Sequence, residues 1–446
     1  MPQKIAFHNL GCKVNSYETE AMLSQMAGEG YEIVPFEPGA DIYVINTCTV
    51  TNIADRKSRQ MLHRAKAMNP DALVIAVGCY AQVSGERLLE DAAVDIVIGN
   101  DEKGRLPELI RDYEQDRRSI SCVREIGTSA AFEEMPTGGS SEKARAYLKI
   151  EDGCNQFCSY CLIPYARGRV RSRLPENVLA EAGRLAAEGY KEIVLTGIHV
   201  ASYGLDFPGD SRERAGYGEP LAALIEELAA IPELKRIRLS SLEPRLITPS
   251  FAERLAGVKK LCPHFHLSLQ SGSDTVLKRM NRHYDTAAFY EEMCLLREAF
   301  PRPALTTDVI VGFPGETEEE FGETKQFLEK ADFYEMHVFR FSRRKGTAAD
   351  RMPGQLTEAV KARRSRELLE MSARHQAAFE DGLIGRKREI LVEEACPARG
   401  EGFFMGHTPE YVRLAVLAPD AKAGDLIRVR VGRENLLPKG AAGEEE

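Results

Sequence analysis

The chain has 446 residues, 43% hydrophobic and 28% charged, with a formal net charge of −9; that length predicts roughly three domains, and the composition is that of a globular protein rather than a disordered or fibrous one. No apolar run reaches the ~18 residues of a membrane span, the longest being ALVIAVGCYA, and MPQKIAFHNLGCK lacks the cationic flank and apolar core of a secretion signal. A cytoplasmic protein without a membrane partner is expected, in which the ten cysteines point to metal or catalysis rather than disulfides.

Residues 1–125 alternate short apolar runs, KIAF, YEIVP, IYVIN, LVIAV and VDIVI, with helical patterns at 16–29, 52–68 and 82–92. Continuous apolar strands separated by helices predict an α/β domain with a parallel sheet covered on both faces. Residues 126–143, rich in Gly, Ser and Thr, predict a linker. Over 144–375, six strand-loop-helix units follow, starting at AYLKI, EIVLTG, RIRLSS, FHLSLQ, TTDVIVG and MHVFRF. They predict a partial TIM-like (β/α)6 barrel, with chemistry in the loops at the C-terminal strand ends. A polar helix at 356–380 leads into 376–440, where REILVEEA, GFFMGHT, YVRLAVL and DLIRVRVG predict a small β-barrel or sandwich.

The loop after the first barrel strand reads EDGCNQFCSYC and places Cys154, Cys158 and Cys161 in a C-x3-C-x2-C run. A closed zinc site or a fully ligated iron–sulfur cube takes four thiolates. Either a fourth ligand arrives from elsewhere, or one metal corner stays free for a reactant. Zinc sites show paired C-x2-C knuckles, and no second pair occurs here; an open iron–sulfur cluster is the stronger reading. Cys12, Cys48 and Cys79 each follow a predicted parallel strand, so their loops share one sheet edge, and small residues before them let the backbone approach a bulky ligand. Each alone reads as a small buried hydrophobe; three at matched positions read as a site. Cys122, Cys262, Cys294 and Cys396 show no such pattern.

No acid occurs between Asp152 and Glu176, where Arg167, Arg169, Arg171 and Arg173 alternate. As an extended run they would all face one side, suited to phosphate, or else form a solvated strand face. Arg343 and Arg344 form a second cationic knot, able to pair with a carboxylate. From Ala377 to Gly443 ten Lys/Arg balance ten Asp/Glu, so the C-terminal segment carries no net positive charge.

The C-x3-C-x2-C loop, LTGIHV, SLQSGSD and DVIVGFPGET, with LGCKVN, INTCTV and VGCYAQ in front, resemble the radical S-adenosylmethionine (SAM) methylthiotransferases, the last segment being similar to a TRAM domain. LGCKVNSYE is most similar to the branch that modifies N6-threonylcarbamoyladenosine at position 37 of tRNA; sister branches act on isopentenyladenosine or on an aspartate of a ribosomal protein. The resemblance implies two [4Fe-4S] clusters, one on Cys154, Cys158 and Cys161 with an iron open to SAM, the other auxiliary, on Cys12, Cys48 and Cys79 above the barrel mouth. It implies radical chemistry at adenine C2, whose C–H is neither acidic nor electrophilic, with the cofactor carrying the hard step and an external one-electron donor feeding it. It also implies SAM contacts at Tyr160, Gly197, Gln270 and Gly312, and tRNA as partner. One rival of another class remains at this level, a non-catalytic iron–sulfur or zinc protein; a cobalamin-dependent radical enzyme is rejected. The latter's D-x-H-x-x-G signature is half met, with His8 and Gly11 present but Ala6 in place of Asp.

Overall fold

The computed structural model describes residues 2–128, 131–135, 144–207 and 217–437. The first sheet is wholly parallel, in the order β2-β1-β3-β4-β5-β6. Its strands are β1 Lys4–Asn9, β2 Glu32–Val34, β3 Ile42–Thr47, β4 Leu73–Gly78, β5 Ile96–Ile98 and β6 Ile120–Cys122. All six residues of β3 and of β4 are buried, because successive side chains enter opposite cores: Ile42, Val44 and Ile75 one, Tyr43, Ile45 and Val74 the other. Strand β6 was not expected; ISC is too short and mixed to read as a strand until it pairs with β5. The helix expected at 82–92 is instead a short helix, Cys79–Ser84, followed by a 3-10 turn, Gly85–Glu90. Gly85 breaks it, taking φ 54° with ψ −143°. Most of the proposed linker lies outside the described residues, although Met135 is buried in the first core.

Six parallel strands form the central unit: β7 Arg145–Lys149, β10 Glu192–Thr196, β11 Arg236–Leu239, β12 His264–Gln270, β13 Ala304–Val311 and β14 Glu335–Arg340. They run as β7-β10-β11 and β12-β13-β14, joined by parallel bridges from Ile237 to Leu261 and from Leu242 to Leu267. Between β7 and β10 lies a two-residue antiparallel clasp, β8 Glu151–Asp152 on β9 Arg171–Ser172. The helix Lys13–Gly28 of the first unit packs against β7 at the barrel's unpaired side.

The last segment is an antiparallel sheet in the order β17-β16-β15-β18, made of β15 Lys387–Ala395, β16 Phe403–His407, β17 Arg413–Leu417 and β18 Leu426–Arg430. A register shift between Val392 and Glu394 bends β15. This sheet closes the barrel at the N-terminal strand ends, sharing a core with Ala304 and Tyr334. The polar tie there is Glu192. Its carboxylate accepts from Arg238 Nε at 2.9 Å and lies 3.6 Å from both Arg145 and Arg236. Arg236 in turn donates to the carbonyl of His407 and Arg238 to those of Thr408 and Pro409, while Arg145 donates to the Tyr411 hydroxyl. Among the described residues no helix is long and apolar enough to cross a membrane.

Burial works to raise the Glu192 carboxyl, but Arg238 and Arg145 outweigh it and hold it at about 2. A depressed carboxyl stabilises the fold above its unfolded value and loses that contribution as pH falls toward 2. Glu192→Gln is therefore expected to cost about 3–5 kcal/mol at neutral pH and to flatten the loss of stability between roughly pH 4.5 and 2; denaturant titrations of both proteins across that range measure it.

Candidate active site between two cysteine trios

Cys12 caps the helix Lys13–Gly28 in extended backbone (φ −92°, ψ 177°), Cys48 follows β3, and Cys79 opens its short helix directly after β4. All three stand at C-terminal strand ends of one sheet. Two glycines let these loops meet. Gly11 (φ 123°) lies so close to Cys48 that a Cβ would sit 3.1 Å from the Cys48 Cβ, and a Cβ on Gly78 (φ 94°) would sit 2.4 Å from Asn46 Oδ1. Thr47 fastens the loops further, its hydroxyl donating to the Val77 carbonyl at 2.5 Å and accepting from the Ala81 amide at 3.2 Å. Burial pushes the Cys48 thiol up to about 12, with Cys79 and Cys12 adding to the shift.

The second trio occupies the loop whose base is held by β8 and β9. The Cys154 amide donates to the Gly168 carbonyl at 3.0 Å, and the Cys161 amide to the Cys158 carbonyl at 3.0 Å. Each sulfur has a donor: the Gln156 amide on Cys154 Sγ at 3.5 Å, the Ile163 amide on Cys161 Sγ at 3.4 Å, and Arg282 Nη1 on Cys158 Sγ at 3.3 Å. Burial, then Cys158, raises the Cys161 thiol to about 12, and Cys79 contributes from the other trio. The two trios are thus within electrostatic reach of each other.

N–H donors on thiolate sulfur are what an iron–sulfur cluster requires of its protein, so the donor set fits such groups. Among the described residues no group of three or more His, Cys, Asp or Glu forms a site for a single metal ion. A cube distributes its thiolates over different irons and holds them wider apart than one ion would. Each ligand must shed a proton on loading, and burial holds the thiols of Cys48, Cys154 and Cys161 toward the protonated state until then.

Four arginines expected to face RNA behave differently. Arg167 is fully buried: Nε donates to Cys79 Sγ at 3.2 Å, Nη1 to Glu18 at 2.8 Å and to Asp152 at 3.2 Å, and Nη2 to Asn15 at 3.1 Å. Arg171 is buried against Asp101 at 2.9 Å, and Arg173 against Glu181 and Glu134. The expectation of one shared face fails because 163–167 is helical and only Arg171–Ser172 is extended. Arg169 alone is exposed, its guanidinium 4.5 Å from the centre of the Phe157 ring, which meets Tyr165 edge-on at 5.8 Å. Arg344 is likewise unavailable to a ligand. It is buried on Asp55 at 2.8 Å, Thr49 at 2.7 Å and Asn52 at 2.6 Å of the first unit. Arg343 is 61% exposed and pairs with Asp350 at 2.6 Å.

Of the residues expected near SAM, Tyr160 lies edge-on to Phe313 at 6.3 Å. Gly197 packs on Glu151, where a Cβ would fall 2.7 Å from the carboxylate. Gln270 ends β12 with φ 72°, and the Gly312 amide donates to Glu316 at 2.7 Å. A cavity of about 830 Å³ fills the barrel lumen, lined among others by Cys12, Lys13, Gly197, His266, Asp308 and His407. Sequence reasoning missed Arg282 on Cys158, whose setting NRHYD carries no signal. It also missed Glu18, Asp152 and Lys149 as the partners of Arg167, though Glu18 stands inside the motif LGCKVNSYE.

Arg167→Ala would leave Glu18 and Asp152 short of a cation, at a cost of about 3–5 kcal/mol. Arg169→Ala is expected to change stability by less than about 0.5 kcal/mol. Equal effects in paired denaturation curves would refute the assignment of the two arginines to core and surface.

The radical SAM superfamily profile matches residues 148–328, and that of the uncharacterized protein family UPF0004 matches residues 4–99. Threonylcarbamoyladenosine tRNA methylthiotransferase MtaB of Bacillus subtilis (strain 168) is 42% identical over 96% of this chain and 93% of its own length. A tRNA-2-methylthio-N(6)-dimethylallyladenosine synthase of Moorella thermoacetica is 34% identical over 95% of this chain and 94% of its own. Among solved structures, the radical SAM methyltransferase TsrM of Kitasatospora setae, with cobalamin and a [4Fe-4S] cluster bound, superposes with a TM-score of 0.58 at 16% identity. It covers 78% of this chain and 77% of that one, a likeness of fold alone. Here His8, the half-met cobalamin signature, packs on Phe36 at 4.9 Å. With iron–sulfur clusters and SAM as its cofactors and tRNA as its substrate class, the chain belongs to the radical SAM tRNA methylthiotransferases.

Proposed function

We propose that the protein transfers a methylthio group to C2 of N6-threonylcarbamoyladenosine at position 37 of tRNA. In this reading Cys154, Cys158 and Cys161 hold the cluster open to SAM, Cys12, Cys48 and Cys79 hold the auxiliary cluster, and an external one-electron donor serves the first. The observation that carries it is the meeting of the two trios: Cys79 lies within reach of Cys161 and is bonded to Arg167, which comes from the loop of the other trio. Support for the threonylcarbamoyl substrate is the higher identity to relatives of that name, 42% and 40%, against 34% for a dimethylallyladenosine synthase. The proposed domain limits are 1–125, 144–375 and 376–440.

When bound, the open cluster with SAM supplies a radical able to break an unactivated C–H bond. The chain's own residues position and shield. Arg282 and the amides of Gln156 and Ile163 offer hydrogen bonds to the three sulfurs. Tyr160, Gly197, Gln270 and Gly312 would flank SAM at strand ends around the lumen. On the outside, Arg169, with Phe157 and the 56% exposed Tyr165, offers a cation and an aromatic face, the pair that single-stranded RNA loops use for phosphate and base stacking.

Reconstituted protein incubated anaerobically with SAM, a reductant and tRNA bearing threonylcarbamoyladenosine should yield its 2-methylthio derivative, read by nucleoside mass spectrometry. Product from isopentenylated tRNA alone, or none from either tRNA, refutes the substrate assignment. Arg169→Glu should weaken tRNA binding by about tenfold while leaving SAM cleavage unchanged; unaltered binding removes this patch from the interface.

A further inference from the structure

The lumen holds one large apolar side chain that the protein leaves uncovered. Phe339, the penultimate residue of β14, lines the cavity and is 48% exposed. Among the described residues it is the only large exposed apolar side chain in the lining, and its ring meets no other ring. Phe341, two residues on, does what a structural aromatic does here: it is buried and meets Phe313 edge-on at 5.3 Å. Around Phe339 the lining is polar, with Ser240, His266, Thr306, Asp308 and His337. An aromatic face among such groups keeps apolar area in water, and an incoming ring would remove it. β14 pairs with β13 alone, Phe339 standing opposite Ile310, so its other edge borders the barrel's unpaired side. Gly11, Cys12 and Lys13 line the same cavity. Strand alternation turns Arg340 to the face opposite Phe339, and Arg340, Arg343 and Lys345 are all exposed. Among the described residues only Arg343 of these has an acidic partner, Asp350, and no acid occurs from Met336 to Gly346. A bare aromatic face inside the lumen thus adjoins a cationic rim outside it.

We propose that Phe339 is the surface on which the target base of the tRNA stacks once it leaves its loop and enters the lumen; the inference rests on the reading of that base as adenosine 37. Enzymes that act on a base take it out of the stack and hold it against aromatic or apolar side chains. Stacking occupies the face of the purine and leaves its edge free. C2 and the N6 substituent, both on that edge, stay accessible to the clusters and to the polar groups of the lining. Arg340 and Lys345 suit the phosphates that flank an extruded nucleotide. Phe157, Tyr165 and Arg169 do not line this cavity, so their patch is left to neighbouring nucleotides. Phe339 therefore positions the base and takes no part in choosing its N6 substituent.

The test measures binding of anaerobically reconstituted wild type, Phe339→Ala, Phe339→Leu and Phe339→Tyr to two anticodon stem-loops. One carries threonylcarbamoyladenosine at position 37 and the other is abasic there. Phe339→Ala should raise Kd for the first by about 10- to 100-fold, change that for the abasic loop by less than about twofold, and keep iron content at the wild-type value. Phe339→Tyr should stay within about threefold of wild type. Phe339→Leu, which keeps apolar bulk without a ring, should lose nearly as much as alanine. Equal losses on both loops, no loss on either, or a leucine variant as tight as wild type overturns the proposal. Should Phe339→Ala lose iron, the leucine variant decides on the same criteria. A wild type that binds the modified loop but adds no methylthio group to it overturns the substrate reading instead, a separate result, since Kd alone tests Phe339.

Discussion

Arg167 and the carboxylates of Glu18 and Asp152 form the knot on which the rest of the molecule depends. Lys149 bonds both carboxylates, at 2.8 and 2.6 Å, and Lys103 lies 3.1 Å from Glu18. Burial works to raise the Glu18 carboxyl, yet Arg167, Lys103 and Lys149 together hold it well below the usual range. Five charged side chains in a dry interior are tolerable only if each finds its partners. Those partners come from four places: the first helix, the 3-10 turn Lys103–Arg105 after β5, the start of the barrel and the cysteine loop. Any relative displacement of these parts would strand a charge. The knot thus fixes the distance between the loop that bears one cysteine trio and the sheet edge that bears the other, and Arg167 extends the constraint to Cys79 itself.

A second buried charge group, Glu192 with three arginines, does similar work at the opposite end. The two together bracket the lumen. One ties the first sheet to the cluster loop, the other ties the last sheet to the N-terminal strand ends, and six parallel strands run between them. A six-stranded barrel leaves a seam between β7 and β14, and the helix Lys13–Gly28 packs beside β7 there. That docking brings Cys12 and Lys13 to the cavity wall, so that one part of the chain supplies both the proposed ligand of the auxiliary cluster and part of the lining of the lumen.

This arrangement also explains why charge statistics misled about RNA. An acid-free stretch with arginine at every second position resembles a phosphate-binding strand. In the fold those guanidiniums answer carboxylates supplied from far away in sequence, Glu18 and Asp101 among them. What remains outside is Arg169, joined to two aromatic rings.

By itself the sequence determined the strand pattern of all three units, the helix at 52–68, and the placement of six cysteines after strands. These are local properties: apolar periodicity chooses strand or helix, and a parallel strand must end in a loop on a known edge. It could not determine which charges pair, that 163–167 coils into a helix, that β6 joins a sheet, or that Arg344 is buried between units rather than free. Those outcomes depend on tertiary partners, some of them more than a hundred residues away along the chain as Glu18 is from Arg167 and Thr49 from Arg344, because a buried charge is settled by what surrounds it and not by its neighbours in sequence.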